Sequence, residues 1–198
     1  VVGFFTTMQA ILQGIFSPSM LSVVDHVRKG TLDFMLLKPA DALLLISTSR
    51  FDFTQLGGVP AGLLLAAWGA REAGHVPGPL DVALAGLILL CGCAILWSLW
   101  VIAVSQAFHF VRVDNLSHLI LSTFDAARWP SSVYGGAFAF AFTFVFPLAV
   151  MTTWPALAVL GKAEPRHALG AIGIAAAFLV LARLTWRRAL SKYTSAGG

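Results

Sequence analysis

The chain has 198 residues, of which 58% are hydrophobic and 11% charged, and its mean hydropathy is +0.84. A soluble domain carries roughly 25% charged residues, so this composition excludes a soluble globular protein and predicts an all-α polytopic membrane protein. The net charge of +4 does not indicate a nucleic-acid partner, because the basic residues follow the loops between apolar runs. Cys91 and Cys93 form an isolated C-x-C inside an apolar run, which favours packing residues over a metal site.

Uncharged runs locate the membrane spans, since about 20 apolar residues cross a hydrocarbon core of about 30 Å. Residues 1–24 carry no charge and are predicted as the end of a span. Pro18 is expected to end that helix, with a short amphipathic piece running on to Val24. The chain begins with Val1 inside this hydrophobic run, and we therefore expect an N-terminal portion of the protein to precede it.

Residues 25–50 form the densest charged segment of the chain. Gly30 and Pro39 divide it into short pieces, and apolar runs flank it on both sides. The pattern predicts a cytoplasmic loop with a short helix, and we interpret it as the place where the protein meets its partner.

The remaining elements follow from the same reasoning. Gly58 and Gly62, four residues apart, predict close helix packing, and Pro60 is expected to kink its helix. Pro147 and Pro155 divide the uncharged run 131–161. Its first part is expected to enter the membrane, and its second part, 151–161, is too short to cross alone, which suggests an interfacial or re-entrant segment. The predicted order is a span over 51–70, a span over 80–110, a cytoplasmic amphipathic segment over 112–129, a span over 131–150, an outer re-entrant segment over 151–166, a span over 167–186 and a cytoplasmic tail over 187–198.

Lys and Arg concentrate on the cytoplasmic side of membrane proteins. With residues 25–50 inside, ten basic residues lie inside and three outside, which predicts a cytoplasmic C-terminus. The inside set is Arg28, Lys29, Lys38, Arg50, Arg112, Arg128, Arg183, Arg187, Arg188 and Lys192, and the outside set is Arg71, Lys162 and Arg166.

Catalytic motifs are missing from the sequence. It contains no phosphate-binding loop of the G-x-x-x-x-G-K-[ST] type, no H-E-x-x-H and no G-x-S-x-G. Ser105 and His109 lie four apart on one helix face, but a polar helix end near the cytoplasmic surface explains them better than an intramembrane hydrolase. No acidic residue lies deep within a span, which weakens a secondary transporter without excluding it.

Uncharged polar residues inside the spans have two interpretations. They could line a path for an amphipathic substrate, or they could be groups that hydrogen-bond between helices. The residues are Gln9, Gln13, Ser98, Ser105, Gln106 and Thr143.

Three patches resemble the ABC-2-type exporter permeases, and in particular a bacterial branch of ABC-2 family permeases. The first combines residues 27–33, 36–39 and 50–52. The second combines residues 142–145 with Pro147, 154–157 and 160–161. The third covers residues 187–190 and 193–197, so that together the patches run almost end to end.

The resemblance implies the transmembrane domain of a type V-like exporter, with about six helices in the full protein, about five covered here, and a re-entrant outer hairpin. It implies that this chain is a transport subunit and not an enzyme, that it binds no cofactor, and that ATP and Mg are bound by a partner ATPase. The expected partners are two copies of an ABC ATP-binding subunit, a second permease of the same or a different chain, and membrane lipids. The expected location is the bacterial cytoplasmic membrane.

The resemblance also assigns residues 27–39 to the segment that couples the permease to the ATPase, so that residues 43–49 become a lead-in to the next span along the membrane surface. Gly30 and Pro39 shape the coupling segment. Its expected polar contacts are Arg28, Lys29, Thr31, Asp33 and Lys38, and its expected apolar contacts are Leu32, Phe34 and Leu36.

Two other classes of function remain alternatives. One is a stand-alone secondary transporter or channel. The other is a membrane enzyme that would use Ser105, Gln106 and His109.

Overall fold

The computed structural model describes residues 1–38, 41–106, 125, 128 and 147–191. The regular secondary structure of these residues is helical, with no strand among them. Pro39, His109, Thr143, most of the predicted segments 112–129 and 131–150, and the end of the tail from residue 192 lie outside the described residues.

The first helical stretch runs through three consecutive elements without a break. Helix α1 (Val2–Ile11) leads into a π-helix (Leu12–Phe16), which leads into α2 (Ser17–Arg28). Leu12 and Ser17, which join the elements, both have right-handed helical φ and ψ angles. The prediction that Pro18 ends the helix is therefore wrong.

The continuation past Pro18 has a local cause. Proline has no N–H, so the carbonyl four residues earlier loses its helical partner. That carbonyl belongs to Gly14, and it accepts a hydrogen bond of 2.8 Å from the N–H of Asp52. The Ser17 N–H bonds instead to the Leu12 carbonyl, five residues back, as in a π-helix. A distant part of the chain thus satisfies the backbone group that the proline leaves free.

Helix α1 packs closely against α6 (Gly58–Glu72), which follows the short α5 (Phe53–Leu56). A Cβ atom on Gly62 would lie 2.4 Å from Thr7 Oγ1 and 2.6 Å from the Gly3 carbonyl oxygen, so only glycine fits. The predicted close approach is therefore confirmed. Pro60 lies in the first turn of α6, where its missing N–H breaks no helical bond, and it does not interrupt the helix interior.

Two helices are long and apolar enough to cross a membrane among the residues described. They are α7 (Pro79–Ser105) and the last long helix, Pro165–Leu190. Their most apolar windows differ in burial, at 44% for α7 and 17% for the later helix. Helix α7 is accordingly the central helix of the fold, with Ile88, Ile95 and Trp100 almost fully buried.

Before the last helix, a second π-helix (Ala149–Thr153) leads into α8 (Trp154–Val159), and the last helix (Pro165–Leu190) is α9. The turn between α8 and α9 contains Gly161 with φ of +65°. A Cβ there would lie 2.8 Å from His75 Cε1, and His75 in turn bonds to Asp81. The two turns that the charge count puts outside therefore lie against each other.

Two residues of the predicted segment 112–129, Asp125 and Arg128, are among those described. The guanidinium carbon of Arg128 lies 5.4 Å from the centroid of the Phe5 ring, a distance at which an aromatic face attracts a cation. The cytoplasmic position of residues 112–129 stays a prediction.

Candidate functional site

The charged segment between α2 and α5 begins with a well-defined helix end. Gly30 has φ of +64°, a conformation that glycine adopts readily. The Thr31 N–H bonds to the His26 carbonyl at 3.0 Å, as in a Schellman motif. The Thr31 hydroxyl also lies 2.8 Å from His26 Nδ1. The chain therefore leaves α2 in a fixed direction.

The next residues present two apolar side chains to the outside. In and beside α3 (Asp33–Leu36), Phe34 is 71% exposed and Leu37 is 80% exposed. Residues three apart lie on the same side of a helical turn, so the two side chains form one patch. Lys29 and Lys38 are also exposed beside it. We call residues 29–38 the tip.

Leu32 differs from the other predicted contact residues. Its side chain is 0% exposed and belongs to the core of the chain itself. It therefore anchors the tip from within and offers no surface to a partner, which corrects its predicted role. The exposed Leu37 was not among the predicted contacts.

The second half of the segment, residues 41–52, is packed against three parts of the fold, and we call it the clamp. It starts with α4 (Ala42–Ser47). Asp41 caps this helix, since its Oδ1 accepts hydrogen bonds from the N–H groups of Leu43 at 3.0 Å and Leu44 at 3.3 Å.

Asp41 also forms a two-point ion pair with Arg183 on α9. Arg183 Nη1 donates to Asp41 Oδ1 at 3.0 Å, and Nη2 donates to Oδ2. The side chains are 32% exposed for Asp41 and 40% for Arg183. The hydrogen bond from Arg183 lowers the pKa of Asp41 below its ordinary value, and the cap bonds from the α4 backbone act in the same direction.

The other end of α4 is attached to α7. Trp97 Nε1 donates to Ser47 Oγ at 2.9 Å, and Ser47 Oγ donates to the Leu43 carbonyl at 2.6 Å. Leu43 and Ile46 are almost fully buried, whereas Leu44 is 58% exposed. The predicted surface lead-in over residues 43–49 is thus packed against protein along one side.

The end of the clamp is attached to α2 and the first π-helix. Ser19 Oγ donates to the Arg50 carbonyl at 2.7 Å and accepts from the Arg50 N–H at 3.2 Å. The hydroxyls of Ser22 and Ser49 lie 3.2 Å apart. With the bond from Asp52 to Gly14, these contacts hold residues 49–52 along the first helical stretch.

The predicted path residues fall into two groups. Ser98 and Ser105 are buried, and each donates to a carbonyl of its own helix at 2.7 Å. They line no open path in this structure. Gln9 and Gln13 are half-buried on the first helical stretch, and Gln106 is exposed at the end of α7.

Gln9 and Gln13 belong to a longer polar stripe, the rest of which was not among the path residues predicted from the sequence. Thr6 and Ser17 are half-buried like the two glutamines. The four residues are spaced three or four apart, which places them along one side of the helical stretch. The signal was present in the spacing, since all four residues precede Pro18 and lie within the helix predicted from the sequence.

The apolar helices and their exposed hydrophobic faces define a helical membrane protein. A family model described as ABC-2 family transporter protein matches residues 1–197. The chain therefore belongs to this family and is a transport permease of the membrane. No curated protein and no solved structure matches it.

Proposed function

We propose that this chain is the membrane-spanning permease subunit of an ATP-driven exporter, and that its tip docks on a separate ATP-binding subunit. Family membership supports the transport role. The absence of a phosphate-binding loop from the sequence supports a separate source of energy.

The observation that carries the docking proposal is the exposure of Phe34 and Leu37 on one side of the tip. Burying a Phe or Leu side chain contributes about 1.5–3 kcal/mol. A few apolar anchors surrounded by polar groups commonly dominate a protein–protein interface. Lys29 and Lys38 would supply the polar surroundings here.

The wider assembly follows from the family resemblance. Two ATP-binding subunits would carry ATP and Mg, and a second permease, the same or a different chain, would complete the membrane part. The full protein would have about six helices, with the tip and the C-terminus on the cytoplasmic side of the bacterial inner membrane. The excess of inside basic residues supports that orientation.

The position of the polar stripe supports a substrate path along this side of the first helical stretch. Uncharged polar groups on an outward side of a membrane helix are poorly suited to lipid. Gln9 and Gln13 would instead face the second permease or a passage between the two subunits. Gln106 and Thr143 stay candidates for the same path.

Co-purification tests the docking proposal. The tagged chain is purified from its native membrane after photolabelling with an azido derivative of ATP, and the labelled ATP-binding chain is quantified. We expect that chain to accompany the wild type and to be reduced at least about tenfold by Phe34→Ala with Leu37→Ala, since losing two anchors costs more than about 1.4 kcal/mol.

The matched control is Phe53→Ala with Leu44→Ala, because Phe53 is 78% exposed and Leu44 is 58% exposed outside the tip. The control should retain the ATP-binding chain. Equal retention in both double variants would contradict docking through the tip. No labelled chain with the wild type would favour the stand-alone transporter.

A further inference from the structure

The structure also indicates how movement of the tip could reach the membrane helices. We infer that the Asp41–Arg183 ion pair transmits movement of the tip to α9, so that Asp41 and Arg183 are positioning residues of the transport cycle. This inference rests on the proposed docking of the tip on an ATP-binding subunit.

The position of the pair is the first argument. Asp41 lies three residues after Lys38 at the end of the tip, and Arg183 lies 142 residues further along the chain. Arg183 is seven residues before the end of α9, which is about 10 Å along a helix. The pair therefore connects the cytoplasmic segment directly to the inner part of the last helix.

The geometry of the pair is the second argument. Two guanidinium nitrogens meet two carboxylate oxygens, an arrangement that fixes orientation as well as distance. Helix α9 packs along α7, and Ala182 and Trp186, on either side of Arg183 in the sequence, are buried. A two-point contact at this place can therefore shift the inner end of α9 relative to α7.

Helix α4 is attached to a different membrane helix at each of its two ends. Its first turn is tied to α9 through Asp41, and its last residue, Ser47, is tied to the central helix α7 through Trp97. A force on the tip acts next to Asp41, while Ser47 stays with α7. The helix would then pivot about Ser47 and move Arg183 relative to α7.

The two roles of Asp41 can be separated by substitution. Serine is a good N-cap, so Asp41→Ser retains the cap of α4 and removes the carboxylate. Asp52 offers a matched control, because its Oδ1 caps α5 through the Thr54 N–H at 3.0 Å and it forms no ion pair within the described part of the chain. Arg187, one turn after Arg183 and exposed, is the control on α9.

Amide hydrogen exchange measures the transmission. The complex of this chain with its ATP-binding subunit is compared without nucleotide and after trapping with MgATP and vanadate. We expect exchange in residues 42–47 and in residues 180–190 to change together on trapping in the wild type, in Asp52→Ser and in Arg187→Gln.

In Asp41→Ser and Arg183→Gln, we expect the response of residues 42–47 to persist and that of residues 180–190 to be lost, with partial recovery in Arg183→Lys. A purely structural role would change exchange without nucleotide but leave the response to trapping. Retention of the α9 response in both variants, or its absence from the wild type while α4 responds, would overturn the inference. A complex that forms but in which neither segment responds would overturn this inference alone, whereas the absence of any complex would overturn the proposed function and with it this inference.

Discussion

The tip and the clamp are adjacent pieces of one charged segment, but they are built for different purposes. In the tip, Phe34 and Leu37 are mostly exposed, while Leu32 is buried in the core and Met35 packs against it. In the clamp, residues 41–52 contact α2, α7 and α9. The difference suggests that the tip is a surface for a partner and that the clamp attaches the tip to the membrane helices.

The largest effect should separate the two halves by stability. Ile46 in the clamp is 0% exposed, and Ile46→Ala should lower the free energy of unfolding by about 2–5 kcal/mol, since it leaves a cavity. Phe34→Ala in the tip should change it by about 0.5 kcal/mol or less. Reversible unfolding in detergent measures both values. Similar losses from the two variants would remove the distinction between tip and clamp.

A smaller effect should come from the attachment of α4 to α7. Ser47→Ala leaves the Trp97 indole N–H without its partner, and we expect a loss of about 1–3 kcal/mol. A double-mutant cycle with Trp97→Phe isolates the pair, because the second substitution removes the donor. A coupling free energy of zero would show that the two side chains do not interact in solution.

The smallest effect should come from the Asp41–Arg183 pair itself. The pair is partly exposed, so its contribution to stability should be about 0.2–1 kcal/mol and should fall at high salt. A cycle of Asp41→Ser with Arg183→Gln at low and high salt measures it. A contribution that does not depend on salt would contradict this account.

The pH dependence of the pair has a defined sign. Arg183 lowers the pKa of Asp41 in the folded chain, so the stabilisation is present above the ordinary carboxyl pKa of about 3.9 and is lost as the pH falls through the lowered value. Between pH 8 and pH 5 the coupling free energy should therefore be constant. A loss of coupling near pH 6 would show that another group controls the pair.

Much of the fold could be predicted from local signals. Gly58 and Gly62, four residues apart, sufficed to predict close helix packing, because small residues at that spacing let two helix backbones approach, and the structure identifies α1 as the partner of α6. Membership of the ABC-2 family was also readable from motifs in the sequence, and the family model that matches residues 1–197 confirms it.

The parts that could not be predicted depend on distant contacts. The helix continues through Pro18 because Asp52 supplies a bond to Gly14, and nothing near Pro18 indicates this. The pairing of Asp41 with Arg183 joins residues 142 apart. In the tip, apolar residues at position 32 and at positions 34–37 give no clear period, so the buried Leu32 and the exposed Leu37 could not be distinguished from the sequence.

The central claim is that the tip, and not the clamp, contacts an ATP-binding subunit. Site-specific photocrosslinking tests it directly, with benzoylphenylalanine placed at Leu37 in the tip or at Leu44 in the clamp, both of which are exposed. We predict a crosslink from position 37 to the chain that is photolabelled by ATP, and little or none from position 44. Equal yields from both positions, or no crosslink from position 37, would contradict the account.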